Sequence, residues 1–224
     1  MEKIKLQHPS WGYRTIAAVM QTEGWEASTK KIYRLYSQEG FAKHRSRRKA
    51  SAWIRSSRSL VATHPNHVWA ADLTSDQDTR GKPLLWLAVM DEYTRQCKIL
   101  EVFRAIGSKQ LIKSFKNCLG TQAKPANLRT DNGGVWSLPN WETWTKNRHV
   151  FLRKIPMGCP WENGNIESLI GKLREDLIDR TEFTGIKDAN FQAQLWMDRY
   201  NDVRPHHSLN QKTPNDFAAS LQAD

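Results

Sequence analysis

His67-Val-Trp-Ala-Ala-Asp-Leu-Thr74 reads as a buried strand that carries one carboxylate, Asp72, inside an apolar run. An unpaired carboxylate is costly to bury, and Asp is disfavoured in strands. Asp72 therefore asks for a chemical explanation. Outward from it, two further carboxylates stand in distinctive local settings. Asp131 follows Ala126-Asn-Leu-Arg-Thr130 and opens the turn Asp131-Asn-Gly-Gly134. Asn-Gly is a strong turn signal, so taken singly this residue has a structural account. Glu167 ends Trp161-Glu-Asn-Gly-Asn-Ile-Glu167 near the start of a long helical pattern, where a solvated carboxylate is ordinary. Thirty-five residues lie between Asp131 and Glu167.

The flanking patterns set these residues in a mixed fold. Leu84-Leu-Trp-Leu-Ala-Val-Met90 is a continuous apolar run of the kind found in central strands, and Gly81-Lys-Pro83 supplies the turn before it. Cys97–Phe103 is a third strand, so the three form an antiparallel meander. A helix is predicted over Ser108–Leu119, with Ser108 as cap and Leu111, Ile112, Phe115 and Leu119 on one stripe. Strands at Asn127–Thr130 and Val150–Lys154 bracket a helix at Leu138–Asn147. Long helices follow at Pro160 to about Asp179 and at Asp188–Tyr200. Thr213, Pro214 and Asp216 then have the spacing of a capped short helix.

Charge is unevenly spread. The net charge is +11, yet residues 1–60 hold 13 Lys and Arg against 4 Asp and Glu, leaving +2 for the other 164 residues. A basic segment on a near-neutral body is the footprint of a polyanion binder. Within it, Tyr13–Thr22 and Thr29–Gln38 read as two short helices. Ser28 is the cap and Gly40 the stop of the second, and Lys30, Lys31 and Arg34 face outward. Residues 43–62 read as a basic linker containing Arg45, Arg47, Arg48 and Lys49, ordered on DNA. No apolar run is long enough for a membrane span. Three scattered cysteines and a start without a signal-type apolar core make the reducing cytoplasm the expected location.

Phosphodiester chemistry needs charge neutralisation and an activated oxygen. Two divalent ions supply both, and hard cations such as Mg²⁺ select carboxylate oxygens. Three carboxylates on a strand, a strand end and a helix suit that demand.

The order and spacing of Asp72, Asp131 and Glu167 resemble the Asp-Asp-Glu triad of transposases and retroviral-type integrases. The surrounding segments resemble the second-frame (OrfB-type) transposases of bacterial insertion sequences. They are His67–Thr74, Met90-Asp-Glu-Tyr-Thr-Arg95, Arg129-Thr-Asp-Asn-Gly133, Cys159–Ser168 with Gly171-Lys-Leu-Arg174, Tyr200-Asn-x-x-Arg-Pro-His206 and Thr213-Pro-x-Asp-Phe217. His8-Pro-Ser-Trp-Gly-Tyr-Arg14 is similar to that family's N-terminal helix-turn-helix segment. The sequence departs from the family's habit at Gly134-Val-Trp136, where an acidic-aromatic pair is common, and at Ser168-Leu-Ile170.

The resemblance implies an RNase H-like mixed five-stranded sheet flanked by helices, preceded by a small helix-turn-helix-like segment. It divides the chain into residues 1–42, the linker 43–62 and a core at 63–224. It implies a DNA transposase that cuts and joins strands with two Mg²⁺ or Mn²⁺ ions on the triad. Its partners would be double-stranded DNA (element ends and target), further copies of the chain and an upstream first-frame protein. A nuclease of the same fold without strand transfer, and a DNA-binding remnant or regulator, are the competing expectations. Helical geometry places Asn163, Gly171 and Arg174 on the face of Glu167, so Arg174 and Lys172 are candidate DNA contacts. Asn132 is another. Asp91 and Glu92 read as strand-end capping groups.

Overall fold

The computed structural model describes residues 1–42, 60–120, 123–157 and 159–222. Most of the basic linker, with Arg45, Arg47, Arg48 and Lys49, lies outside the described residues. The chain forms two compact units. One comprises Met1–Leu60 with Pro205–Lys212, and the other Val61–Arg204 with Thr213–Asp224.

In the first unit a short helix not anticipated from the sequence, α1 (Glu2–Gln7), precedes α2 (Tyr13–Thr22) and α3 (Thr29–Gln38). The Lys5 ammonium ties α1 to the next turn by donating to the Pro9 and Trp11 carbonyls at 2.6 and 3.1 Å. Ser28 caps α3 by accepting from the Lys31 N–H at 3.2 Å. At the other end Gly40 adopts φ 70°, and the Phe41 N–H returns to the Tyr36 carbonyl at 3.1 Å. That reverse turn suits a residue without a Cβ. Trp11, Ile16, Ala17, Met20, Ile32 and Tyr36 form the small core of this unit. Lys30, Lys31 and Arg34 are exposed.

The second unit is built on a five-stranded sheet. Strands β1 (Val68–Gln77), β2 (Pro83–Asp91) and β3 (Cys97–Phe103) form the antiparallel meander. Next come α4 (Ser108–Leu119), β4 (Asn127–Thr130), α5 (Pro139–Asn147) and β5 (Phe151–Lys154). The strand order is β3-β2-β1-β4-β5, with β4 parallel to both β1 and β5. Helices α6 (Gly164–Asp176), α7 (Ile186–Asp202) and α8 (Pro214–Ser220) complete the unit. Side-chain alternation sorts the strands into two cores. Ala70, Trp86, Ala88 and Met90 face α6 and α7, whereas Trp69, Ala71, Leu87 and Val89 face α4 and α5. Each fully buried large side chain contributes about 1.5–3 kcal/mol.

The two sheet edges are treated differently. Along β3, the Asn190 and Asn201 amides of α7 each pair with both backbone groups of one strand residue. Asn190 bonds Val102 N–H and C=O at 2.9 Å each, and Asn201 bonds those of Cys97 at 2.9 and 3.0 Å. Eleven helical residues rise about 16.5 Å and five strand residues span about the same. The spacing of the two asparagines therefore matches the strand they close. Among the described residues no strand pairs with the outer edge of β5.

Three expectations need correction. Ser108 is the first helical residue of α4, and the cap position belongs to Gly107, whose N–H donates to the Gln110 side chain at 3.2 Å. The helix expected from Pro160 to Asp179 is split into a 3-10 turn (Pro160–Asn163), α6, and a second 3-10 turn (Ile178–Arg180). Asn163, at φ −94°, ψ 2°, separates the first 3-10 turn from α6, and Leu177 breaks the other end at φ −132°, ψ −64°. β1 also runs three residues past Thr74, paired with β2 as far as Pro83. At the C-terminal end, Thr213 caps α8 as the spacing predicts, accepting from the Asp216 N–H at 3.2 Å.

Candidate active site

Asp72 lies on the central strand, opposite Ala88 of β2 and on the face that packs against α6. The Ala70–Arg129 pairing of β1 with β4, continued two residues, brings the chain at Asp131 level with Asp72. Glu167 enters from the first turn of α6, where the positive end of the helix dipole favours a carboxylate. Three elements thus deliver three carboxylates: the middle of β1, the end of β4 and the first turn of α6.

Asp72 is half-buried, and its Oδ1 accepts from the Leu73 N–H at 2.7 Å. Its carboxyl is pushed from the ordinary 3.8 up to about 6, chiefly by burial. The Leu73 N–H opposes this, and the negative charges of Asp131 and Glu167 add to it. The carboxylates therefore share one electrostatic neighbourhood. They are not drawn into contact: among the described residues no three His, Cys, Asp or Glu side chains are gathered closely enough to hold a metal ion. The donor set itself, all carboxylate oxygen, fits a hard divalent cation.

Asn163 adds a neutral oxygen beside this group. It is buried, its Nδ2 donates to Asp72 Oδ2 at 3.5 Å, and its Oδ1 has no hydrogen-bond partner. A buried amide oxygen left unpaired is uncommon and costly. Asp131 sits in an exposed turn where its Oδ1 accepts from the Gly133 N–H at 3.0 Å. A Cβ at Gly133 would stand 3.0 Å from that same oxygen, so a larger residue there would need the Asp131 side chain to shift. Asn132 pins the turn by donating to the Ile155 carbonyl at 2.7 Å.

Beneath the carboxylates lies a buried ion pair that sequence reasoning missed. Arg129 Nη1 donates to both Glu92 oxygens, at 2.6 and 2.8 Å, and reaches the Glu162 carbonyl at 3.3 Å. Both side chains are almost fully buried. Burial raises the Glu92 carboxyl and the Arg129 charge opposes the rise. The pair joins the end of β2 to β4 and to the turn entering α6, and so sets Asp131 relative to Glu167. Its signal in the sequence was Arg129, a lone charge in a short strand that needs a counter-charge. Asp91 has the capping role read for it, accepting from the N–H groups of Asn66, Tyr93 and Thr94 at 2.7, 2.8 and 3.2 Å.

The candidate DNA contacts of the core already hold intramolecular partners. Arg174 donates to Thr74 Oγ1 at 2.7 Å and to the Ser75 carbonyl at 3.3 Å, and pairs with Asp179 at 3.3 Å. It straps α6 to β1 beside Asp72. Lys172 is half-buried and donates to the Ser168 carbonyl at 3.0 Å and to the Ser168 hydroxyl. Burial first, then the nearby Arg204 and Arg95 charges, lower its ammonium to about 8. Nothing stands within 4 Å of a Cβ built at Gly171, so that stretch of α6 is open to a close approach. Trp136 is fully buried and belongs to the core, while Trp161 is exposed.

A mixed five-stranded sheet of this order, flanked by helices on both faces, is the fold of polynucleotidyl transferases with an integrase-type core. The Integrase core domain family matches residues 149–214, and the HTH-like domain family matches residues 1–50. A protein of insertion element IS407 from Burkholderia multivorans is 30% identical over 95% of this chain and 77% of its own length. The transposase of insertion sequence element IS904 from Lactococcus lactis is 26% identical over 96% of this chain and 92% of its own. Among solved structures, the simian T-cell lymphotropic virus intasome contains a chain with TM-score 0.60 and 16% identity, covering 86% of this chain and 67% of that one. The HTLV-2 integrase catalytic core, solved in complex with magnesium, gives TM-score 0.50 and 18% identity over 69% of this chain and 97% of that one. The chain belongs to the insertion-element transposase family, and its sheet is the RNase H-like sheet of integrase cores. Among the described residues no helix is long and apolar enough to cross a membrane.

Proposed function

We propose that this chain cuts and rejoins DNA at insertion-element ends through Asp72, Asp131 and Glu167, acting with two Mg²⁺ or Mn²⁺ ions. One observation carries the reading. Residues 72, 131 and 167, far apart in sequence and on three different elements, come near enough together that the charges of Asp131 and Glu167 add to burial in raising the Asp72 carboxyl. A strand, a strand end and a helix would serve as rigid mounts for metal ligands. The magnesium named for the HTLV-2 core supports the choice of ion. When bound, such ions supply charge neutralisation at the phosphodiester and activation of the attacking oxygen.

The chain's own groups do the rest. Asp72 and Asp131 offer ligand oxygens from neighbouring strands and Glu167 from the helix. Asn163 orients Asp72 through its Nδ2. The Glu92–Arg129 pair braces the strand end that leads to Asp131 against the turn that enters the helix of Glu167. Lys30, Lys31 and Arg34 on α3, and the basic segment 43–62, hold the duplex, while residues 63–224 carry the chemistry. The joining step exchanges one phosphodiester for another, so its bond energies are nearly balanced. Several copies assemble on the DNA, because two ends are handled together, and an upstream first-frame protein contributes end recognition. The work takes place in the cytoplasm.

The test incubates the purified chain with Mn²⁺ and labelled element-end DNA, beside Asp72→Ala, Asp131→Ala and Glu167→Ala. Joined products from the parent alone support the proposal. Cuts without joining reduce it to a nuclease. DNA binding with no cleavage in any sample, with or without the upstream protein, overturns the enzymatic reading.

A further inference from the structure

One edge of the sheet is closed by α7; the other, unpaired among the described residues, is strongly basic. Residues 123–157 contain six Lys and Arg against two Asp and Glu. Of these, Arg129 is buried against Glu92 and Asp131 belongs to the carboxylate group. Lys124, Lys146, Arg148, Arg153 and Lys154 remain, all exposed, with Glu142 as the only acid among them. Lys154 pairs with Glu142 at 3.1 Å. The other four make no ion pair with any described residue.

Their placement is built rather than scattered. The Lys124 ammonium donates to the Arg148 carbonyl at 2.9 Å, and the Arg148 guanidinium lies over the Trp144 ring at 5.6 Å. Arg153 Nε donates to Asn127 Oδ1 at 2.9 Å, leaving its terminal nitrogens outward. Between α5 and the outer edge of β5 runs an open groove of about 540 Å³, whose lining includes Lys146, His149, Phe151 and Lys154. Phe151 is 63% exposed there. Lys154, the last residue of β5, is register partner of Thr130, the residue before Asp131.

Resting on the function proposed above, we infer that this edge is a second DNA-binding surface, contacting the phosphate backbone of a duplex independently of the N-terminal unit. Three alternatives explain less. Lysines on an edge strand guard against strand-to-strand aggregation, but that does not call for four unpaired cations reaching onto α5 and the loop before β4. A second copy pairing edge to edge would set Arg153 and Lys154 against like charges. A protein partner is disfavoured because the cores of protein interfaces are depleted in lysine, whereas DNA interfaces are rich in cations.

The experiment measures binding of the full chain in EDTA, so that failure of the metal chemistry cannot affect the result. Lys146→Glu/Arg148→Glu/Arg153→Glu and the milder Lys146→Gln/Arg148→Gln/Arg153→Gln are titrated by fluorescence anisotropy against an element-end duplex and a random-sequence duplex, over a range of salt. Each lost phosphate contact should make the slope of log affinity against log salt shallower by about 0.9. The neutral triple variant should therefore lose roughly three units of slope, with affinity falling more than tenfold at low salt, and the reversed variant should lose more. Loss confined to the random duplex assigns the surface to target DNA. Loss confined to the element end assigns it there, and loss with both assigns it to the shared backbone. Unchanged slope and affinity for both duplexes, in soluble variants with parental circular dichroism, overturns the inference and leaves only edge protection.

Discussion

Asp72→Asn should make the metal-free protein more stable while abolishing catalysis. Asp72 is raised from 3.8 to about 6 by burial and by its two acidic neighbours. An acid that binds its proton more tightly when folded costs stability once that proton is lost. The penalty is absent below about pH 4, grows as pH rises through the folded value near 6, and is complete above it. About two units correspond to roughly 3 kcal/mol at most. Because the carboxylate is partly in water, screening reduces this to about 1–2 kcal/mol. The amide keeps the oxygen that accepts from Leu73 and removes the charge, so the variant should melt about 2–8 °C higher at pH 7.5. The measurement is differential scanning calorimetry of parent and variant from pH 4 to 8 in EDTA. The gap should close near pH 4. A variant that melts at or below the parent at pH 7.5, or a gap independent of pH, would refute the claim that burial, reinforced by the charges of Asp131 and Glu167, holds the Asp72 carboxyl above its ordinary range.

Other outcomes follow from the supporting structure. Arg129→Met strands the buried Glu92 carboxylate and should cost about 3–5 kcal/mol, whereas Glu92→Gln combined with Arg129→Met should recover much of that; urea unfolding of the four-member cycle measures the coupling, and additive losses would contradict it. Asn190→Ala and Asn201→Ala each unpair two backbone groups of β3 and should cost about 1–3 kcal/mol apiece, with faster hydrogen exchange at the Val102 and Cys97 amides respectively. Asn163→Ala should lower Mn²⁺ affinity and turnover about 10–100-fold with DNA affinity unchanged. An unaltered Mn²⁺ titration would remove Asn163 from the site.

The parts of the molecule legible in the sequence were those set by local period and turn chemistry. Cys97–Phe103 and Asn127–Thr130 have the bounds their apolar patterning predicts, and Ser28 and Thr213 cap the helices they precede. Asp72 was legible because a carboxylate inside an apolar strand violates propensity. What escaped was tertiary. Glu92 and Arg129 lie 37 residues apart, and nothing local names the partner of either. Asn190 and Asn201 look like ordinary polar residues of a helix until their spacing is compared with a strand. Helical geometry put Arg174 on the face of Glu167, but the guanidinium is taken up by Thr74 and Ser75, which a helix wheel does not contain. The contact of Asn163 with Asp72, 91 residues away, has no local signal either.

The central claim is that Asp72, Asp131 and Glu167 together hold the metal that the chemistry uses. Mn²⁺ binding counted by electron paramagnetic resonance, on parent and on Asp72→Asn, Asp131→Asn and Glu167→Gln with element-end DNA present, tests it most directly. Two ions per active site in the parent, and a lower count or at least tenfold weaker binding in each of the three variants, is the expected result. Equal counts and affinities in the parent and all three variants would show that the metal, if bound, sits elsewhere.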